Sequence, residues 1–281
     1  MNSLERVRAT IEGKPVDHLA AQPMSMMFSA KHAGIRFIDY TRDGIKMAQA
    51  QLKLARDFGV DCLLTCSDPA REVVDIAGEG SVDWLVDQGP VINEGRAALK
   101  DKKRFRTFRL PDPVGGGRMH DRVKGIEFMR REAGPGMSIV GWVEGPLALA
   151  QELRGLNSIM TDFFDDPGFV KDLLHFTADV AIRYAPAQIA AGADTIGMSD
   201  AAASMIGPDL YEEFLWPEQR RVLEFLRGNH PDVIRRLHMC GRTDKLFPRM
   251  AELPVDIYEI DFPANLQLAR DQLGSTRVLA G

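Results

Sequence analysis

"ARDFGVDCLLT" (residues 55–65) reads as the end of a helix, a turn and the start of a strand, and the pattern returns as "IAAGADTIGMS" (189–199) and "MAELPVDIYEI" (250–260). Each copy closes a helical stretch with Gly or Pro, adds a small apolar residue and an aspartate, and enters a short apolar run. Junctions repeated in this way belong to βα units, whose strands pair in parallel because a helix separates them. The aspartate, standing just ahead of each strand, is expected to anchor that strand's lower edge.

Extending the reading along the chain places strands near 18–24, 62–67, 138–144, 195–200, 234–240, 257–261 and 277–281. Helices fall near 3–12, 42–58, 118–133, 145–156, 167–191, 209–228, 242–252 and 264–273. Strands alternating with helices through a single domain, 1–281, point to a (β/α)8, TIM-barrel-like α/β fold, which typically needs about 250 residues. Seven strands are one short of closure, so the chain is expected to lack its last βα portion, as a C-terminally truncated barrel would. "REVVDIAGEGSVDWLVDQGPVINEG" (71–95) combines alternation with Gly turns and reads as an inserted hairpin near 72–95, and "PDPVGGG" (111–117) is a turn. An open doubly wound sheet is disfavoured, because no Gly-x-Gly-x-x-Gly follows a strand and "VGGGRMH" (114–120) follows none.

The composition narrows the function. With 45% apolar and 27% charged residues and a net charge of −5, the chain reads as globular, and it has no Lys/Arg run to track a phosphate backbone. Nucleic acid and acidic membrane surfaces are therefore not expected partners. No apolar stretch approaches the ~18–20 residues of a membrane span, and "MNSLERVRATIEGK" (1–14) is a polar amphipathic helix rather than a signal peptide, so the expected compartment is the cytoplasm. Cys62, Cys66 and Cys240 form an odd, sparse set that argues for reduced thiols.

In a βα barrel the carboxyl ends of the strands carry the chemistry. Those ends present Asp68, Glu144, Asp200, His238, Cys240 and Glu259 or Asp261. His238 and Cys240 share a strand face with Cα atoms about 6.5–7 Å apart, close enough for two inward-leaning side chains to grip one ion. Thiolate and imidazole are the usual ligands of zinc. The plainer alternative is a buried small thiol beside a satisfied core histidine. Cys62 and Cys66 sit about 13 Å apart along one strand and cannot share an ion; both read as core, with Cys66 a weak stand-in for a third ligand. Glu144, ahead of Gly145-Pro146, either caps the next helix or contacts a ligand, and Asp200 has the same two readings. "MSMMF" (24–28) reads as packing, and His18, His32, His120, His175 and His230 as surface or core residues without partners.

"GWVEGPLALAQELRG" (141–155), "MSDAAASMIGPDLYEEFLWPEQRRVLEFL" (198–226), "LHMCGRTDKLFPRMAELPVDIYEID" (237–261) and the terminal "RVLAG" (277–281) together resemble the uroporphyrinogen decarboxylase superfamily. The resemblance implies a (β/α)8 barrel and one of two activities. Decarboxylases carry an arginine-rich loop after the first strand, whereas "MSMMFSAKHAG" (24–34) offers Lys31 and His32 without paired arginines. The other branch comprises corrinoid-dependent methyltransferases, whose His-x-Cys pair and a later Cys hold zinc; that pattern falls on His238 and Cys240, with the third ligand beyond residue 281.

The resemblance thus implies Zn2+ as cofactor and catalytic roles for Glu144 and Asp200. No Asp-x-His-x-x-Gly, the usual signature of a corrinoid carrier in this family's partners, is present, so cobalamin is expected on a separate corrinoid protein. The further expected partner is a small methyl acceptor or donor, a thiol such as coenzyme M or else a folate, and a homodimer is compatible with this reading. The alternatives are a uroporphyrinogen decarboxylase or related tetrapyrrole-binding enzyme and, from a different class, a non-catalytic binding barrel.

Overall fold

A computed structural model describes residues 1–66 and 68–281. In chain order its strands are β1 (Cys62–Leu64), β2 (Val82–Asp83), β3 (Val91–Ile92), β4 (Ser138–Glu144), β5 (Thr195–Ser199), β6 (Ile234–Met239), β7 (Ile257–Ile260) and β8 (Val278–Ala280). Six of them form one parallel sheet in the order β1-β4-β5-β6-β7-β8, and β2 and β3 make a separate antiparallel pair. The sheet curls as part of a barrel, with helices such as Gly44–Phe58, Arg118–Ala133 and Pro167–Ala190 packed over its outer face.

The repeated aspartates set the register. Asp194, just ahead of β5, accepts the Ile139 N–H of β4 at 2.7 Å and the Ser138 hydroxyl at 2.9 Å, and Arg130 pairs with it at 2.8 Å. Asp256, ahead of β7, accepts the Arg235 N–H of β6 at 2.8 Å and its guanidinium at 2.7 Å. Asp61, ahead of β1, accepts the Ala21 N–H at 2.8 Å and the Arg6 guanidinium. Each carboxylate therefore takes the first free donor of a neighbouring extended segment, which the parallel ladder leaves unsatisfied at the foot of the sheet. The expected anchoring role holds, and its target is the adjacent strand.

Asp61 also fixes residues 18–24. The Asp61 N–H donates to Ala21 O at 2.7 Å, so this segment lies beside the foot of β1 as a first strand would. It is nevertheless extended rather than laddered, and Pro23, which has no N–H, interrupts any pairing there. A cleft of about 810 Å³ separates the segment from β7 and β8, and among the described residues no strand lies beyond β8. The sheet thus covers part of a barrel's circumference.

The expected elements at 118–133 and 138–144 match their observed bounds. The inserted hairpin near 72–95 needs correction: Ala70–Ala77 is a helix, and only two residues on each side pair at β2 and β3. A run this short fits periods of both 2 and 3.6, and burial of Ala70, Arg71, Glu72 and Val73 favours the helix. The helices Met27–His32, Phe37–Arg42 and Leu156–Asp165 were not anticipated. The helix expected over 242–252 is a 3-10 turn, Asp244–Leu246, followed by Phe247–Met250.

Asp194→Ala removes three hydrogen bonds, from the Ile139 N–H and the Ser138 and Thr195 hydroxyls, and leaves partly buried Arg130 without its carboxylate. Urea unfolding is expected to show a loss of about 2–4 kcal/mol, with hydrogen exchange accelerated first at the feet of β4 and β5. A loss below ~0.5 kcal/mol would mean that the junction aspartates do not hold the sheet.

Candidate active site

With the feet aligned, residues of neighbouring strands fall into rungs whose side chains share one face. The uppermost rung runs Glu144, Ser199, His238, Glu259 and Ala280 across five strands. The rung below runs Trp142, Gly197, Arg236, Ile257 and Val278. These are the stacked inner layers of a barrel, and the polar residues lie in the layer nearest the carboxyl ends.

His238 stands between two partners. Its Nε2 lies 3.0 Å from the Cys240 sulfur, and its Nδ1 lies 3.1 Å from Glu259 Oε2. Arg236, fully buried one rung lower, pairs with the same Glu259. Burial opposes a charge on His238, but the Cys240 sulfur and the Glu259 carboxylate outweigh it and raise the imidazole pKa to about 10. Burial likewise opposes a charge on Glu259, yet His238 and Arg236 hold its pKa below the usual range. The residues form one line, Arg236 to Glu259 to His238 to Cys240. The backbone beyond is fixed by the Gly241 N–H, which donates to Asp261 at 2.6 Å.

Trp142 packs beneath this line. Its ring centroid lies 6.0 Å from that of His238, and a Cβ at Gly197 would sit 2.4 and 2.5 Å from the indole Cε3 and Cζ3. Only glycine at 197 lets the indole lie across β5 toward β6. Cys62, Leu64, Cys66, Val140 and Trp142 make a buried inner cluster, bordered by Met24 and Met26. Burial pushes the Cys62 thiol up to about 12 and raises Cys66 further. Both cysteines, like Met24 and Met26, pack as expected; Met27, expected to pack as well, is half exposed.

Glu144 lies in a second charged group. Its Oε1 accepts from Arg71 at 3.1 Å and its N–H donates to Glu72 at 3.2 Å, while Asp68 pairs with Arg118 at 3.1 Å. Arg71 is fully buried. Burial raises the Glu144 pKa to about 8 against the pull of Arg71. On the helix Pro146–Arg154 that follows, burial alone raises Glu152 to about 7. Glu144 does not cap this helix. Asp200 does so from the next strand, accepting the Ala148 N–H at 2.8 Å, and its other oxygen accepts from Gln219 at 2.8 Å.

Sequence reasoning named His238, Cys240, Glu144 and Asp200 but gave Arg71, Arg236 and Gln219 no part. For Arg236 a signal existed, since a charged residue at i−2 to His238 shares its strand face. The outlying histidines do have partners: His32 pairs with Asp57 at 2.8 Å, His175 with Glu218 at 3.1 Å, and His120 accepts the Gly116 N–H at 3.0 Å. Among the described residues no group of three or more His, Cys, Asp or Glu side chains is arranged to hold a metal ion. All three cysteines are free thiols, and no described helix is long and apolar enough to cross a membrane.

A parallel α/β barrel sheet with buried acid, base and thiol groups at its strands' carboxyl ends defines a TIM-barrel-like protein with one site at its mouth. The chain belongs to the uroporphyrinogen decarboxylase (URO-D) family, whose model matches residues 2–281. The methylcobamide:CoM methyltransferase MtbA of Methanosarcina mazei is 29% identical over 271 residues, covering 94% of this chain and 78% of that protein. A uroporphyrinogen decarboxylase of Nostoc sp. is 31% identical over 206 residues, covering 71% of this chain and 57% of that protein. Among solved structures, a methyltransferase from Methanosarcina mazei superposes with a TM-score of 0.84 at 20% identity, covering 100% of this chain and 82% of its own. That likeness establishes the fold.

Two tests follow from the packing. Gly197→Ala must displace the Trp142 ring, at an expected cost of about 1–3 kcal/mol, read as a lower urea midpoint with a shifted tryptophan emission maximum; unchanged emission would place the indole elsewhere. Glu152 has a folded-state pKa raised above its unfolded value, so its share of stability is intact at low pH and is lost as pH rises toward about 7. Glu152→Gln removes that loss. Its stability relative to wild type should rise by roughly 1–2 kcal/mol between pH 5 and pH 8, and a pH-independent difference would contradict the burial of the carboxylate.

Proposed function

We propose that the protein is a corrinoid-dependent methyltransferase that moves a methyl group between the cobalamin of a separate corrinoid protein and a small acceptor or donor, a thiol such as coenzyme M or else a folate. The observation that carries this reading is the pairing of His238 Nε2 with Cys240 Sγ, 3.0 Å apart at the carboxyl end of β6. Support comes from the relatives named as methylcobamide:CoM methyltransferases, one of them matched over 94% of this chain. Three free thiols suit a reducing, cytoplasmic setting.

Zinc fits the donor pair. One soft sulfur and one imidazole nitrogen converge, and the other imidazole nitrogen lies 3.1 Å from a carboxylate, the partner found in carboxylate–histidine–zinc arrangements. His238 and Cys240 would hold the ion, with a further ligand from outside the described residues. When bound, zinc lowers the pKa of a coordinated thiol and so keeps it nucleophilic at neutral pH.

The remaining roles belong to the chain. Glu259, anchored by Arg236, lies 3.1 Å from His238 Nδ1 and orients the ring by charge. For a thiol acceptor the net change is R–SH + CH3–Co → R–S–CH3 + reduced cobalt + H+, with both electrons of the Co–C bond left on cobalt. The released proton needs a relay, and Glu144, on the same rung as His238, is the candidate, because burial brings its pKa to about 8, within reach of neutral pH. Asp200, with both carboxylate oxygens bonded, is assigned to holding the strand ends rather than to contact with substrate. Trp142 and the apolar wall around Cys62 and Cys66 exclude water from the floor of the site.

A decarboxylase is the second reading, favoured by the Nostoc relative. Against it, the only cationic candidates of 24–34 are Lys31 and His32, and His32 is engaged with Asp57. Metal analysis of the protein beside His238→Ala and Cys240→Ser decides the site: about one zinc per wild-type chain and less than a fifth of that in either variant is expected. Equal metal in all three would exclude it. Methyl transfer from methylcobalamin to coenzyme M should fall by about 10²-fold or more in both variants, and turnover of uroporphyrinogen instead would establish the second reading.

A further inference from the structure

A chain of buried hydrogen bonds connects an irregular helical turn to the ends of three strands. Residues Tyr211–Leu215 form a π turn ahead of the helix Trp216–Asn229. A regular α-helix returns to one face after seven residues, and a π turn inserts about one more, so residues 211 and 219, eight apart, come to the same side. There the Tyr211 hydroxyl donates to Gln219 Oε1 at 2.7 Å, which fixes which end of the amide is which. The amide nitrogen then donates to Asp200 Oδ2 at 2.8 Å. All three side chains are fully buried.

Asp200 distributes that constraint. Its other carboxylate oxygen accepts the Ala148 N–H at 2.8 Å, at the start of the helix that follows Glu144. Its backbone N–H donates to His238 O at 2.9 Å, and the Gly145 N–H donates to Ser199 O at 2.6 Å. A Cβ on Gly145 would come within 2.6 Å of Asp200 Cγ, so β4 and β5 end in direct contact. The ends of β4, β5 and β6 therefore meet at one residue, Asp200, through its backbone and its carboxylate.

We propose that Gln219, oriented by Tyr211, is a positioning residue: by holding Asp200 it fixes the end of β6, and with it Cys240, relative to Glu144. It touches neither substrate nor metal. The π turn is the feature that brings the tyrosine and the glutamine into line. The expected kinetic effect rests on the methyl-transfer reading, whereas the effect on Cys240 does not.

The test compares wild type, Gln219→Leu and Tyr211→Phe. The first readout is the rate of Cys240 alkylation by iodoacetamide in chelator-treated protein, followed by mass spectrometry with buried Cys62 and Cys66 as internal controls. The second is kcat and KM for methyl transfer from methylcobalamin to coenzyme M, with far-UV circular dichroism and the thermal midpoint recorded alongside. Gln219→Leu is expected to raise Cys240 alkylation at least five-fold and to lower kcat at least ten-fold, with KM within two-fold; Tyr211→Phe should shift both readouts the same way by less. Should Gln219→Leu fail to fold, Tyr211→Phe, which removes one hydroxyl, decides alone. Unchanged Cys240 alkylation in the folded variants overturns the proposal, even if they are less stable, because Gln219 then serves stability only. Altered alkylation with no turnover by any protein, wild type included, upholds the positioning role and counts against methyl transfer.

Discussion

A carboxylate at the foot of a strand, taking the first N–H of its neighbour, is the interaction on which the rest of the structure depends. In a parallel sheet a slip of one residue would turn every inward side chain outward. Asp194 pins β4 to β5 through Ile139, and Asp256 pins β6 to β7 through Arg235. From those pins the count upward is equal on both strands: five residues to Glu144 and to Ser199, three to His238 and to Glu259. The polar rung at the barrel mouth is thus a consequence of hydrogen bonds made at the opposite end.

The same rung holds charges that water would ordinarily solvate. Arg71 and Arg236 are fully buried, and each is matched by a carboxylate of the top layer, Glu144 and Glu259 respectively. Buried pairs of this kind add little net stability, yet breaking one is costly because the survivor stays desolvated. Their presence is better explained by what they orient. Arg236 fixes Glu259, Glu259 lies against one edge of the His238 ring, and the Nε2 edge is left facing Cys240 at the mouth.

Much of this was legible in the residues. The helix–Gly/Pro–Asp–strand junctions gave the parallel sheet, and the i, i+2 spacing of His238 and Cys240 gave their shared face. The remainder depends on contacts between segments far apart in the chain. Asp200 reads either as the cap of its own downstream helix or as a ligand contact, and it caps a helix some fifty residues earlier, a target that local spacing cannot reveal. Arg71 and Glu72 lie in a run whose alternation suggested a strand, and burial on two sides made it a helix. Residues 18–24 carry a strand's apolar pattern, and Pro23 withholds a donor that a ladder would need.

The two ends of the sheet divide structure from chemistry. At the foot, each aspartate is committed to donors that only the folded chain presents, and substitution there acts on the fold as a whole. At the mouth, by contrast, several of the bonds that tie the strands pass through Asp200. A site built from residues of separate strands needs those strands to end at fixed distances, but the ladder ends with the polar rung itself: β5 stops at Ser199 and β6 at Met239, just before Asp200 and Cys240. Something beyond the ladder must therefore take over the spacing. A buried carboxylate with one fixed amide partner can do this without occupying the cavity, leaving the imidazole and the thiol as the groups presented to whatever enters it.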